Sequence, residues 1–204
     1  MALPGGGDLV VARPRDAGAL LDEERFAAED EFLPYWADLW PSARALARVL
    51  AGRRLGGMRV LELGCGLGLP SIVAAHGGAR ACASDWAPEA VAAAQANARR
   101  NGLEVEGVVV DWRAPDPLVA RAPWDLVIAA DVLYEERNVA PLLDLLPRLG
   151  DDVLLADPGR VAAAGFLAGA RERFAVTGTA DPGHPSVTVH RLRALTRPRP
   201  PASA

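Results

Sequence analysis

The stretch that most constrains this chain is Val60-Leu61-Glu62-Leu63-Gly64-Cys65-Gly66-Leu67-Gly68, an apolar run holding one acid and passing into three alternating glycines. Such an order predicts a buried strand, a tight turn, and a helix opening near Leu69-Pro70. Glycine admits backbone angles and close approaches that a Cβ blocks. A nucleotide-like ligand can then lie on the main chain at the carboxyl end of the strand, where open α/β sheets bind ligands. The spacing separates two ligand classes. A dinucleotide fingerprint, G-x-G-x-x-G, would need a glycine where Leu69 stands, and a phosphate-cradling P-loop would need Lys followed by Ser or Thr.

At 204 residues the chain fits one domain large enough to bury a core. Its apolar runs fall short of a membrane span, and no basic region followed by a hydrophobic stretch marks a signal peptide at the N-terminus. Cys65 and Cys82 form neither a disulfide framework nor a metal-ligand spacing, so no metal is expected and a cytoplasmic protein is the simplest reading. Cys65, inside the glycine loop, reads as a small filler rather than a nucleophile. The formal charge of −4 argues against a general nucleic-acid binder. All 22 basic residues are arginine, so the chain has no lysine of its own to modify.

Residues 1–30 read as an N-terminal extension, flexible at first, with a short strand at Leu9–Ala12 and an acidic stretch through Glu29, Asp30 and Glu31. That stretch is either a solvated helix face or a substrate-docking patch. The domain proper runs over 31–195. It begins with Tyr35, Trp36 and Trp40 close together, and Pro41-Ser42 opens a helix to about Ala51. Strands and helices then alternate, which signals a parallel sheet with helices on both faces. Strands are expected near 58–63, 80–84, 105–110, 124–130 and 152–156, and helices near 69–77, 87–101, 115–121, 136–149 and 160–171. The last two strands, 173–179 and 186–194, are joined by Asp181-Pro182-Gly183-His184-Pro185, a turn too short for a crossover helix, so they should pair antiparallel. Residues 196–204, with Pro198, Pro200 and Pro201, read as a disordered tail. The fold class is therefore α/β and Rossmann-like, mostly parallel with a C-terminal antiparallel hairpin.

Strand two ends at Ser84-Asp85-Trp86, placing an acid where it can accept hydrogen bonds from both ribose hydroxyls of a nucleoside. Capping the next helix is its alternative role. Strand three ends at Asp111-Trp112, a pair suited to an adenine amino group and ring face, or to a turn and a core. Strand four carries Ala130 and then Asp131-Val132-Leu133-Tyr134 to the sheet's carboxyl edge. Asp131 and Tyr134, at i and i+3, share a face if the chain turns helical. A carboxylate and a phenol so placed can orient an amine and take its proton.

The glycine loop with Glu62 resembles motif I of class I S-adenosylmethionine (SAM) methyltransferases. Asp131-Val132-Leu133-Tyr134 resembles the Asp-x-x-Tyr hallmark of the seven-β-strand lysine methyltransferases. Base-methylating enzymes instead carry Asn/Asp-Pro-Pro-aromatic at this strand end. Leu33-Pro34-Tyr35-Trp36-Ala37 with Trp40-Pro41, together with Ala156-Asp157-Pro158-Gly159-Arg160, narrows the resemblance to the electron transfer flavoprotein β-subunit lysine methyltransferase group, over roughly residues 33–193. This resemblance implies SAM as cofactor, with S-adenosylhomocysteine as product, held by Trp40, Glu62, Gly64, Cys65, Gly66, Gly68, Asp85, Trp86, Asp111, Trp112 and Ala130. It implies Asp131 and Tyr134 as catalytic residues lining the channel for the target amine. Trp36, Asp157 and Arg160 fall near the acceptor pocket, and the β subunit of an electron transfer flavoprotein is the implied protein partner. A small-molecule amine methyltransferase on the same scaffold and a non-catalytic SAM-binding partner protein are the competing readings. The absence of a long insertion between strands five and six favours an open rim and a protein acceptor.

Overall fold

The computed structural model describes residues 8–15 and 35–195. Seven strands form one sheet: β1 (Arg59–Leu63), β2 (Arg80–Asp85), β3 (Glu106–Val109), β4 (Leu126–Ala130), β5 (Asp152–Asp157), β6 (Phe174–Asp181) and β7 (His184–Ala194). Their order is β3-β2-β1-β4-β5-β7-β6. The first five are parallel, while β7 runs antiparallel to both β5 and β6. This matches the expected fold class. The chain order reverses between β1 and β4, which places a ligand crevice beyond their carboxyl ends.

Side-chain alternation along each central strand feeds two cores. On one face α1 (Pro41–Ala51), α2 (Leu69–His76) and α3 (Pro88–Arg100) bring Leu46, Ile72 and Ala94 onto Val60, Ala83 and Ile128. On the other, α4 (Asp116–Val119), α5 (Val139–Leu149) and α6 (Val161–Ala170) bring Leu118, Leu145 and Phe166 onto Leu61, Val127 and Leu155. Burying each such Leu, Ile or Phe side chain contributes about 1.5–3 kcal/mol. Proline at the first or second position of α1, α2, α3 and α4 starts each helix where a missing N–H costs nothing. Among the described residues no helix is long and apolar enough to cross a membrane.

Two local expectations change. Leu9–Ala12 does not join the sheet as a strand. The Val10 and Ala12 N–H groups donate to Asn101 Oδ1 and Asn97 Oδ1, each at 2.9 Å, and the two amides return bonds to the Val10 and Ala12 carbonyls. Asn97 in the last turn of α3 and Asn101 at its C-cap thus satisfy an extended segment as a strand would. The turn between β6 and β7 is also shorter than expected. Asp181 and His184 pair within the hairpin, leaving Pro182-Gly183 as the loop. Arg48 of α1 grips both oxygens of the buried Asp181 side chain, which extends the strand order to the turn. The acidic stretch at Glu29, Asp30 and Glu31, and the tail from residue 196, lie outside the described residues.

Candidate active site

A cavity of about 810 Å³ opens beyond the carboxyl ends of β1–β4. Its floor is the turn after β1, where Gly64, Gly66 and Gly68 all take positive φ, at 65°, 49° and 79°. The three glycines do different work. A Cβ on Gly66 would stand 3.2 Å from the Trp36 carbonyl oxygen, and one on Gly64 would stand 3.0 Å from Val132 Cγ1, so these two keep the floor bare. A Cβ on Gly68 would meet Ala94 Cβ at 2.5 Å, so this glycine lets α2 and α3 pack closely.

Asp85 stands at the cavity's edge with its carboxylate held in advance. The Gly66 N–H donates to Oδ2 and the Ala87 N–H to Oδ1, both at 3.1 Å. Burial raises its pKa, and those backbone donors oppose the rise. Each oxygen retains a lone pair for a ligand, as ribose binding requires. Trp86 and Trp112 flank it on the same wall. The buried Trp112 Nε1–H has no hydrogen-bond partner among the described residues. Asp111, by contrast, gives both oxygens to Arg113, at 2.6–3.1 Å, and this guanidinium holds its carboxyl below the usual range. It lines the cavity as an ion pair rather than as a bare acceptor.

The opposite wall comes from the end of β4. Asp131 is the one described non-glycine residue with positive φ, at 59°. The chain therefore turns sharply instead of starting a helix, and still brings Asp131 and Tyr134 into the same cavity. Burial, then the Glu135 charge, pushes the Tyr134 hydroxyl up to about 12, so at neutral pH it is a proton donor. The Tyr35 ring lies 5.6 Å from the Tyr134 ring and 6.2 Å from that of Trp40, whose Nε1–H donates to the Tyr35 carbonyl at 2.8 Å. Residues Tyr35–Trp40 so form a strap over the mouth. Arg13 ties it to the N-terminal segment through Asp38, at 3.0 Å.

Of the residues anticipated from sequence, Trp36, Trp40, Gly64, Gly66, Asp85, Trp86, Asp111, Trp112, Ala130, Asp131, Tyr134 and Arg160 line this one cavity. Glu62, Cys65, Gly68 and Asp157 stand behind its wall. Glu62 points along β1's α2 side and accepts from the Ser71 N–H at 2.9 Å and the Ser71 hydroxyl at 2.5 Å, pinning α2 to the sheet. The Cys65 thiol is buried, which drives its pKa well up and leaves it inert. Asp157 Oδ1 accepts from the Gly159 and Arg160 N–H groups at 2.7 and 2.8 Å, and so acts by placing Arg160. Arg113 and Glu135 also line the cavity without having been singled out, since one charged residue beside a motif carries no spacing signal, and Tyr35 of the aromatic cluster lines it too. Asn97 supports the floor from below, donating to the Leu67 carbonyl at 3.1 Å.

Burial raises the Glu62 carboxyl from 4.5 to about 8, against the opposing Ser71 bonds and with help from Asp85. The folded state then binds this proton more tightly than the unfolded chain does. The stability that Glu62 contributes is present below pH 4.5 and lost as pH rises toward 8. In urea unfolding, Glu62→Gln should lose less stability between those pH values than the wild type does. Equal losses in the two proteins would show that Glu62 titrates normally.

A crevice at the strand-order reversal, with a glycine floor and a preset acid, thus sits on a class I methyltransferase sheet. Comparison with solved structures agrees on the fold. The magnesium protoporphyrin IX methyltransferase of Synechocystis, crystallised with bound SAM, superposes at a TM-score of 0.60 with 20% identity, covering 87% of this chain and 93% of that one. The lysine methyltransferase family model matches residues 29–156, and the chain belongs to that family. The electron transfer flavoprotein β subunit lysine methyltransferase of Xenopus laevis is 38% identical over 136 residues, 62% of this chain and 53% of the relative. A ribosomal protein L11 methyltransferase of Edwardsiella ictaluri is 31% identical over 153 residues, 74% of this chain and 51% of that protein. The chain thus spans about half the length of these curated relatives.

Proposed function

We propose that this protein is a SAM-dependent N-methyltransferase whose acceptor is a lysine side chain of a protein, the β subunit of an electron transfer flavoprotein in particular. The observation that carries the reading is the meeting of two sets of groups in one cavity. Gly64, Gly66 and Asp85 suit a nucleoside, and Asp131 with Tyr134 suits an amine. Membership of the lysine methyltransferase family supports the acceptor class, and the Xenopus laevis relative supports the partner. The open rim suits a protein loop better than an enclosed metabolite. The formal charge of −4 and the lack of a proline pair in Asp131-Val132-Leu133-Tyr134 speak against a nucleic-acid acceptor, and a cytoplasmic location goes with the cysteine usage.

The bare glycine floor, Asp85 and the Trp86 and Trp112 rings would hold the cofactor's adenosine. SAM supplies an electrophilic methyl on a sulfonium, so the acceptor must offer a neutral amine lone pair. Asp131 accepts a hydrogen bond from that amine and aligns its lone pair with the methyl group. The Tyr134 hydroxyl, protonated at neutral pH, orients the amine, and the Tyr35 and Tyr134 rings enclose the lysine's methylenes.

Incubating the purified protein with SAM and a recombinant electron transfer flavoprotein β subunit should add methyl increments to the intact mass of the subunit, mapping to lysine. This chain has no lysine, so every methyl-lysine found must belong to the partner. A subunit that stays unmodified while ribosomal protein L11 or a free amine is methylated would overturn the partner assignment.

A further inference from the structure

Asp131 is not a bare carboxylate. Arg160 Nε donates to Asp131 Oδ1 at 2.8 Å, and the guanidinium stands 5.8 Å over the Trp40 ring. The Asp131 side chain is only 6% exposed, so solvent does little to screen the pair from this side. The local chain is arranged for the contact. Asp157 Oδ1 clamps the Gly159 and Arg160 N–H groups, and Gly159 takes a positive φ of 87°, which turns Arg160 back toward β4 at the start of α6.

The rest of the cavity repeats this neutralisation. Asp111, after β3, is paired with Arg113, and Glu135, after β4, with Arg137. Asp85, at the end of β2, is answered by backbone N–H groups on the cofactor side. Asp157, behind the wall at the end of β5, faces Arg160, while Tyr35 and Tyr134 are the phenols facing the mouth. Asp111, Glu135 and Asp131 therefore each have an arginine partner, with Arg160 shared between Asp131 and Asp157.

We propose that Arg160 is a positioning residue that cancels the charge of Asp131, so that the cavity takes up the acceptor amine in its neutral form. This rests on the lysine-methylation reading. An unpaired carboxylate within about 4–6 Å of an amine favours the ammonium and raises its pKa by about one to three units. A lysine with an ordinary pKa near 10.4 is already almost wholly protonated at neutral pH, and an ammonium has no lone pair to offer. Pairing with Arg160 keeps the geometry of the Asp131 acceptor and removes its preference for the cation. Burial of the amine then works in the opposite direction, toward the neutral form. One proton leaves nitrogen for solvent on binding. As the N–C bond then forms and the sulfonium S–C bond breaks, the positive charge passes from sulfur to nitrogen, a neutral thioether leaves, and the balance closes.

The test counts protons. Calorimetry is run in two buffers of different ionisation heat at about pH 7.5, with the flavoprotein β subunit titrated into protein loaded with S-adenosylhomocysteine. The wild type should release about one proton per acceptor bound. Arg160→Gln and Arg160→Met should release close to none, and their kcat against pH should rise about one unit or more further to the alkaline side. Arg160→Lys, which keeps the charge, should restore both readouts. Unchanged S-adenosylhomocysteine affinity in each variant reports an intact fold. Wild-type proton release and pH midpoint in either uncharged variant would overturn the proposal and leave Arg160 a packing residue. Faster turnover than wild type at every pH would overturn it in favour of a plug that the substrate displaces. A wild type that neither binds nor methylates the subunit would instead defeat the parent reading.

Discussion

Replacing Asp131 by alanine is expected to lower kcat by about a hundredfold or more while changing SAM affinity little. The carboxylate stands past the end of β4, on the wall opposite Asp85, where the acceptor and not the adenosine approaches. Losing it removes the acceptor that aligns the amine. It also leaves Arg160 facing the site with only Asp157 to offset its charge, and that positive charge disfavours both an ammonium and a developing one. Single-turnover kinetics alongside calorimetry separate these effects. Near wild-type turnover would reduce Asp131 to a turn residue. Tyr134→Phe should be milder, because the ring still packs against Tyr35 and only the orienting hydroxyl is lost.

Substituting valine at Gly66 should abolish SAM binding while leaving the protein folded. A β-branched residue is strained at a φ of 49°, and its Cβ would stand 3.2 Å from the Trp36 carbonyl, forcing the floor and the strap apart. The same substitution at Gly68 should act on the fold instead. There the added Cβ falls 2.5 Å from Ala94 Cβ and 2.8 Å from its Cα, so the α2–α3 contact must open at a cost of about 1–3 kcal/mol or more. Calorimetry with SAM and urea denaturation of both variants would show this split. Wild-type SAM affinity in Gly66→Val would remove the floor from the cofactor site. NAD serves as the negative control, since Leu69 stands where its fingerprint requires glycine.

Features carried by local spacing were legible in the sequence. The apolar run into Gly64, Gly66 and Gly68 marked β1 and its turn, the acids at Asp85 and Asp131 marked strand ends, and Pro182-Gly183 marked a hairpin. What was hidden rests on partners far apart in the chain. Asn97 and Asn101 hold residues some ninety positions earlier. Glu62 turned out to brace α2 through Ser71, because its strand parity points it away from the cavity and into the helical layer. The left-handed φ at Asp131 replaced the expected helical turn, and the Arg160–Asp131 pair joins segments 29 positions apart. Side-chain pairing of this kind leaves no periodic trace. It becomes visible only when strand order brings the ends of β4 and β5 together.

The most direct measurement is transfer of tritium-labelled methyl groups from SAM to the flavoprotein β subunit, followed by complete hydrolysis to amino acids. The account predicts label in methylated lysines, with its rate of appearance cut about a hundredfold or more when Asp131→Ala replaces the wild type. Label confined to other residues or to small molecules, or no label in any acceptor, would contradict it.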